Sequence, residues 1–198
     1  MLILGHVGIT FGVALAAESL SSRTDPADAK RHSRLLARLG HATASLAGRI
    51  DLRLLLIGTL LPDIIDKPLG YILLPGLFGT GRLFCHTLIF PVVLAAAGMW
   101  LYRARRSTNL LVLAYASGMH LLLDAMWRTP SILLWPFAGP MPRGDTSGDW
   151  LASIITTLLT NPAAYLPEIA GAILLVPLLW AIFRGVGPGH FVRSGAVN

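Results

Sequence analysis

Apolar positions fill five stretches of the chain, residues 3–20, 53–65, 83–102, 110–127 and 166–183, while polar and charged positions collect between them. Most of these stretches approach the length of about 20 residues that spans a bilayer. A soluble fold has no interior large enough to hide so much continuous apolar sequence. The pattern therefore predicts an all-α fold, a polytopic integral membrane helix bundle of about five transmembrane helices. The second stretch is short and runs into Pro62, Pro68 and Gly70, which interrupt helical hydrogen bonding. Irregular backbone at membrane depth is tolerated only against protein or a wet cavity, so residues 71–78 are expected to re-enter the membrane. Residues 150–159 are too few to span and are expected to be interfacial or re-entrant. No linker and no internal repeat divides the chain, which predicts a single membrane-embedded domain over residues 1–198 with a basic loop at 21–53.

Composition agrees with that pattern. The 198 residues are 54% hydrophobic and only 13% charged, with a mean hydropathy of +0.65, whereas soluble domains carry about a quarter charged residues. The net charge of +6 does not point to nucleic acid, because the basic residues lie beside the apolar stretches, where topology accounts for them. Twelve of the sixteen Lys and Arg fall in the loop between the first two stretches, after the third, or after the fifth. Only Lys67, Arg82, Arg128 and Arg143 fall in the alternate loops. This bias predicts a multi-pass protein of the cell (inner) membrane with its N-terminus outside and its C-terminus cytoplasmic. The first stretch lacks the basic n-region of a secretory signal and is expected to be retained. Cys85 is the single cysteine and forms no internal disulfide. In the basic loop, Arg31, Arg34, Arg38 and His41 share one helical face, and Leu35, Leu39, Ala42 and Leu46 another. Either a helix lies on anionic lipid through Arg31, Arg34 and Arg38, or the loop is solvated and serves topology alone.

Ionisable residues within apolar stretches are costly and mark functional sites. Six stand out: His6, Asp63, Asp66, His86, His120 and Asp124. Asp63 and Asp66 are three apart and His120 and Asp124 four apart, so each pair can share a helical face. The topology, drawn from Lys and Arg alone, sets all six in the outer part of the membrane. Imidazole and carboxylate together suit zinc, with manganese or iron as alternatives. Six candidates leave room for two metals, or for one metal with outer carboxylates. A helix-packing hydrogen bond is the plainer role for any one of these histidines alone. Arg82, four residues before His86, either clamps an anionic substrate group or reaches up to the interface. Glu168 either faces the site or favours the start of its helix. Trp127, Trp135 and Trp150 are expected as interfacial anchors.

At these residues the chain resembles the membrane-bound metal-dependent hydrolases of the YdjM type. The matching pieces are Gly5-His6, Leu61-Pro62-Asp63-Ile64-Ile65-Asp66, His86-Thr87, His120-Leu121-Leu122-Leu123-Asp124 and Leu134-Trp135-Pro136-Phe137, in the family's order. The resemblance implies a bundle of membrane helices with a metal-dependent hydrolytic site at His6, Asp63, Asp66, His86, His120 and Asp124. Two departures are visible: the family's Asp-x-Asp-His is spaced differently here and followed by Lys67, and its His-Ser is His86-Thr87.

The expectation is thus a membrane hydrolase with one or two divalent metals, zinc foremost, acting on a lipid-derived or other phosphoester at the outer interface. Asp63, Asp66 and Arg82 are the expected catalytic residues, one of the two aspartates as general base. The rivals are a divalent-metal transporter or sensor using the same cluster, and a non-catalytic protein that binds a partner through its basic loop.

Overall fold

The first apolar stretch forms α1 (Ile3–Ser21), whose 19 residues are apolar around most of the helix. A computed structural model of the chain describes residues 2–21, 43, 45, 46, 48–144, 150–184 and 187–195. Among them, all regular secondary structure is helical. The amphipathic face expected over Arg31, Arg34, Arg38 and His41 lies outside the described residues.

The second stretch forms α2 (Leu52–Pro68), begun by the Asp51 side chain, which accepts from the Arg53 N–H. Its buried residues Leu52, Leu55, Gly58, Thr59, Pro62 and Asp66 fall on one stripe. Contrary to the expected interruption, α2 continues past Pro62. Proline has no N–H, so the carbonyl four residues earlier, on Gly58, loses its helical donor. The Ser117 hydroxyl replaces that donor at 3.2 Å, as a serine on a neighbouring helix can do in a membrane bundle. The regular helix gives way instead to a π-helical turn at Leu69–Leu73.

The third stretch starts later than its apolar pattern suggests. Phe84–His86 is a short 3₁₀ turn, and α3 spans Ile89–Arg105. The reason is the Asp66 carboxylate, which accepts from the backbone N–H groups of Leu83, Cys85 and His86 at 2.8, 3.0 and 3.1 Å. Those N–H groups cap a loop rather than extend a helix. After α3 come α4 (Asn109–Leu123), a 3₁₀ turn at Met126–Arg128 and the four-residue α5 (Pro130–Leu133). Then follow α6 (Trp150–Thr160), α7 (Pro162–Arg184) and α8 (Pro188–Ser194). The segment 150–159, expected to be interfacial or re-entrant, is helical within α6.

Helices α1 and α7 pack along each other, as do α2 with α4 and α3 with α4. Close approach of α1 and α7 depends on Gly8 and Gly171. A Cβ on either would collide with backbone of the other helix, the small-residue contact usual between membrane helices. The apolar core, including Phe11, Leu52, Leu55, Ala116 and Leu178, sits toward the C-terminal half of α1 and the N-terminal halves of α2 and α4. The opposite ends of those helices carry the candidate site.

One described helix, α7 with 23 residues, is long and apolar enough to cross a membrane by length and composition. The apolar parts of α1 and α4 are shorter, Ile3–Glu18 and Asn109–Leu123. Large apolar side chains such as Trp100, Ile173 and Phe183 point outward at 70%, 63% and 70% exposure, a surface suited to lipid rather than water.

Candidate metal centre

Four elements deliver the site. His6 comes from the first turns of α1, and Asp63 and Asp66 from the last turns of α2. His86 comes from the 3₁₀ turn before α3. His120 lies in the last turn of α4, and Asp124 caps that helix, its N–H bonding the His120 carbonyl at 2.9 Å. Glu168 on α7 holds α1 in register by accepting from the N–H groups of Leu2 and Gly5 at 2.6 and 3.1 Å. It thus binds the N-terminal end of the helix that carries His6, where unsatisfied N–H groups favour a carboxylate.

The three histidines are buried, His6 at 1% exposure and His86 and His120 at 0%. Each Nδ1 lies against an oxygen that accepts its proton. His6 Nδ1 is 2.6 Å from the Leu2 carbonyl, His120 Nδ1 is 2.7 Å from the Thr59 carbonyl, and His86 Nδ1 is 2.7 Å from Asp66 Oδ2. In the neutral form of each ring the proton therefore resides on Nδ1, which leaves a lone pair on Nε2. His120 Nε2 lies between the other two, grouped with His6 on one side and with His86 on the other.

His86 and His120 bring Nε2 to Nε2 at 3.3 Å, and the His6 and His120 rings stack with centroids 4.3 Å apart. Asp63 Oδ1 lies 3.5 Å from His86 Nε2 and 3.8 Å from His120 Nε2. Asp124 Oδ1 lies 3.1 Å from His6 Nε2. The geometry of that last approach does not make a hydrogen bond, so His6 Nε2 is buried without a hydrogen-bond partner among the described residues. Two lone pairs facing each other at 3.3 Å repel unless a cation or proton lies between them. Donors held about 2.0–2.1 Å from one zinc ion sit a little over 3 Å apart, which these separations fit.

Two groups of three have ligand atoms within 4.8 Å of one another: His6, His120 and Asp124, and Asp63, His86 and His120. Five of the six expected ligands fall in these two groups, which share His120. Asp66 belongs to neither group, being fully buried with its oxygens turned to His86 Nδ1 and the loop N–H groups. Arg82 lies at the rim, its Nη2 and Nε at 3.0 and 3.2 Å from Asp124 Oδ2. The Thr87 hydroxyl donates to the Phe84 carbonyl at 2.8 Å.

One residue at this rim had no expected role. Lys67 Nζ lies 2.6 Å from Asp63 Oδ2, and the i,i+4 spacing of the two in a helix was the available signal. The carbonyls of Leu2 and Thr59, which fix two imidazoles, carry no side-chain signal at all.

Comparison with known proteins agrees with the membrane character of the helices. Residues 1–191 match the family model described as YdjM inner membrane protein. No curated protein and no solved structure matches the chain.

Proposed function

The chain belongs to the YdjM inner membrane protein family, and we propose that it is a membrane-bound hydrolase dependent on one divalent metal ion. The observation that carries this reading is the pair of ligand groups that share His120, His6 with Asp124 on one side and His86 with Asp63 on the other, with each buried ring turned by its Nδ1 contact. His6, His86, His120, Asp63 and Asp124 are the candidate ligands, in two groups of three. His120 is common to both ligand groups, and one imidazole nitrogen has one lone pair, so it serves a single ion rather than bridging two. Three nitrogens and carboxylate oxygens suit zinc, with manganese or iron also compatible.

A divalent ion bound there supplies Lewis acidity and an activated water. The protein's own groups do the rest. Asp66 keeps the His86 proton on Nδ1 and so its lone pair toward the cluster. Asp63, at 20% side-chain exposure the more open of the two α2 carboxylates, is placed to accept a proton from a reacting water. Asp66 has its oxygens committed to four N–H donors and is a positioning residue. The apolar exterior and the site's place at the helix ends support a substrate presented at the membrane interface, a phosphoester by the chemistry expected from the sequence. The charge bias supports a multi-pass arrangement with the site on the extracytoplasmic side.

The test is metal content and phosphoester turnover in the same purified protein. Retention of about one ion per chain with metal-dependent turnover supports the proposal. Metal crossing sealed vesicles without turnover of any ester would replace it with transport.

A further inference from the structure

Asp63 and Asp124 each turn one oxygen to the histidines and the other to a basic side chain. Their Oδ1 atoms face histidine nitrogens, at 3.5 Å from His86 and 3.1 Å from His6. Their Oδ2 atoms face basic side chains, Lys67 at 2.6 Å and Arg82 at 3.0 Å. The histidines are buried, whereas the two basic side chains are 42% and 44% exposed. Each carboxylate thus connects the buried cluster to a cation that reaches solvent. On the same side of the cluster, the Lys67 stem runs against Gly81, the residue before Arg82, where an added Cβ would meet Lys67 Cγ at 2.9 Å.

Charge completes the picture. Asp63, Asp66 and Asp124 set three negative charges against the two positive charges of Lys67 and Arg82. With neutral histidines the set carries one net negative charge, which favours entry of a divalent cation. Once that cation is held, the same set carries one net positive charge. Asp63 and Asp124 then give part of their charge to the ion, and the outward N–H groups of Lys67 and Arg82 become the local excess.

We propose that Lys67 and Arg82 form a two-cation rim that binds the phosphate group of the substrate over the metal-loaded cluster. The role rests on the metal reading above, since the ion supplies the charge that frees the rim. Arg82 offers a planar fork suited to two phosphate oxygens, and Lys67 a point charge for a third. The phosphate belongs either to a lipid headgroup or to a soluble ester, and the rim recognises what the two share. Lys67 is accordingly a specificity-determining residue and not a ligand of the ion.

The experiment titrates inorganic phosphate into full-length, metal-loaded protein by calorimetry, with metal content measured on the same samples. Wild type should bind phosphate saturably, and only when loaded. Lys67→Gln and Arg82→Gln should each weaken phosphate binding by roughly tenfold or more, the usual loss for one charge-assisted hydrogen bond. Both should keep the wild-type metal content, and Lys67→Arg should recover most of the lysine's effect. Nanodiscs bearing a lipid with a terminal phosphate, compared with choline-lipid discs, identify the source. Competition by the first alone supports the rim with a headgroup ligand, and no competition by either supports it with a soluble one. A wild type that keeps its ion but binds no phosphate overturns the rim alone. So does unchanged phosphate affinity in both glutamine variants. A wild type that retains no ion overturns the metal reading and the rim with it.

Discussion

Asp66 Oδ2 lies 2.7 Å from His86 Nδ1, and the same carboxylate holds the N–H groups of Leu83, Cys85 and His86. One side chain therefore sets both the path of the loop before α3 and the ring face that His86 shows to the cluster. An asparagine in its place keeps the volume but loses the charge and turns one acceptor into a donor. Asp66→Asn is expected to weaken metal binding about tenfold to a hundredfold, the range for an outer partner of a ligating histidine. A competition titration against a chelating dye measures this. An affinity equal to wild type would remove Asp66 from any positioning role.

Metal stoichiometry separates one centre from two. Because both ligand groups need His120 Nε2, elemental analysis should return about one divalent ion per chain and not two, within the one-ion and two-ion alternatives known for such sites. His120→Ala and His86→Ala should lose most of the ion. His190→Ala, on the short α8 away from the cluster, should retain it. Two ions per chain in the wild type would require a ligand set different from this one.

Much of this site was legible in the sequence, and for a physical reason. Acid and imidazole groups inside apolar stretches are costly enough to stand out singly, so His6, Asp63, His86, His120 and Asp124 could be listed before any geometry. Their division of labour could not. Asp66 has the same chemistry as Asp63 and differs only in facing loop N–H groups from 17 to 20 residues further along the chain. The start of α3 was hidden for the same cause, since Leu83 and Cys85 continue the apolar pattern while their N–H groups answer to Asp66. The persistence of α2 beyond Pro62 depends on Ser117 of another helix, and no local pattern reports that.

The Ser117 hydroxyl gives a direct stability test. It is fully buried and supplies the Gly58 carbonyl with the donor that Pro62 lacks. Ser117→Ala should leave that carbonyl buried and unpaired, at a cost of about 1–3 kcal/mol. Thermal unfolding in detergent should show a lowered midpoint. In a Pro62→Ala background the carbonyl regains a helical N–H, so the same serine change should cost much less. Equal costs in both backgrounds would show that the serine acts through packing alone.

At the far end of the bundle, Arg53 ties α2 to α8. Its guanidinium pairs with Asp51 at 2.6 Å and donates to the carbonyls of Val192 and Arg193 at 2.9 and 2.6 Å. The Arg53 hydrogen bond holds the Asp51 carboxyl below its ordinary value of 3.8. A carboxyl depressed on folding contributes stability above its unfolded value, and that contribution is lost as pH falls through the folded one. Docking of α8 should therefore weaken below about pH 4, and proteolysis of the C-terminal segment should accelerate there. Asp51→Asn should remove that acid-dependent step, and an unchanged pH profile in this variant would place the sensitivity elsewhere.

The chemistry turns on Asp63, because a transporter needs the ligands while a hydrolase also needs a group to take a proton. Asp63 approaches both His86 and His120 through Oδ1 at 3.5 and 3.8 Å, and it is the α2 carboxylate that keeps partial access to solvent. Asn retains one oxygen that can face the ion, and four other donors remain. Asp63→Asn should therefore keep substantial metal while losing turnover of a membrane-soluble phosphoester by about a hundredfold to ten-thousandfold, the usual cost of removing an acid–base group. Metal content and turnover are read on one preparation, across phosphoester, acyl and peptide substrates. If metal and activity fall together in proportion, Asp63 is a ligand only and the proton acceptor lies elsewhere. If wild type turns over nothing in the panel but carries metal across a sealed vesicle, the histidines and aspartates serve passage of the ion, and hydrolysis should be abandoned.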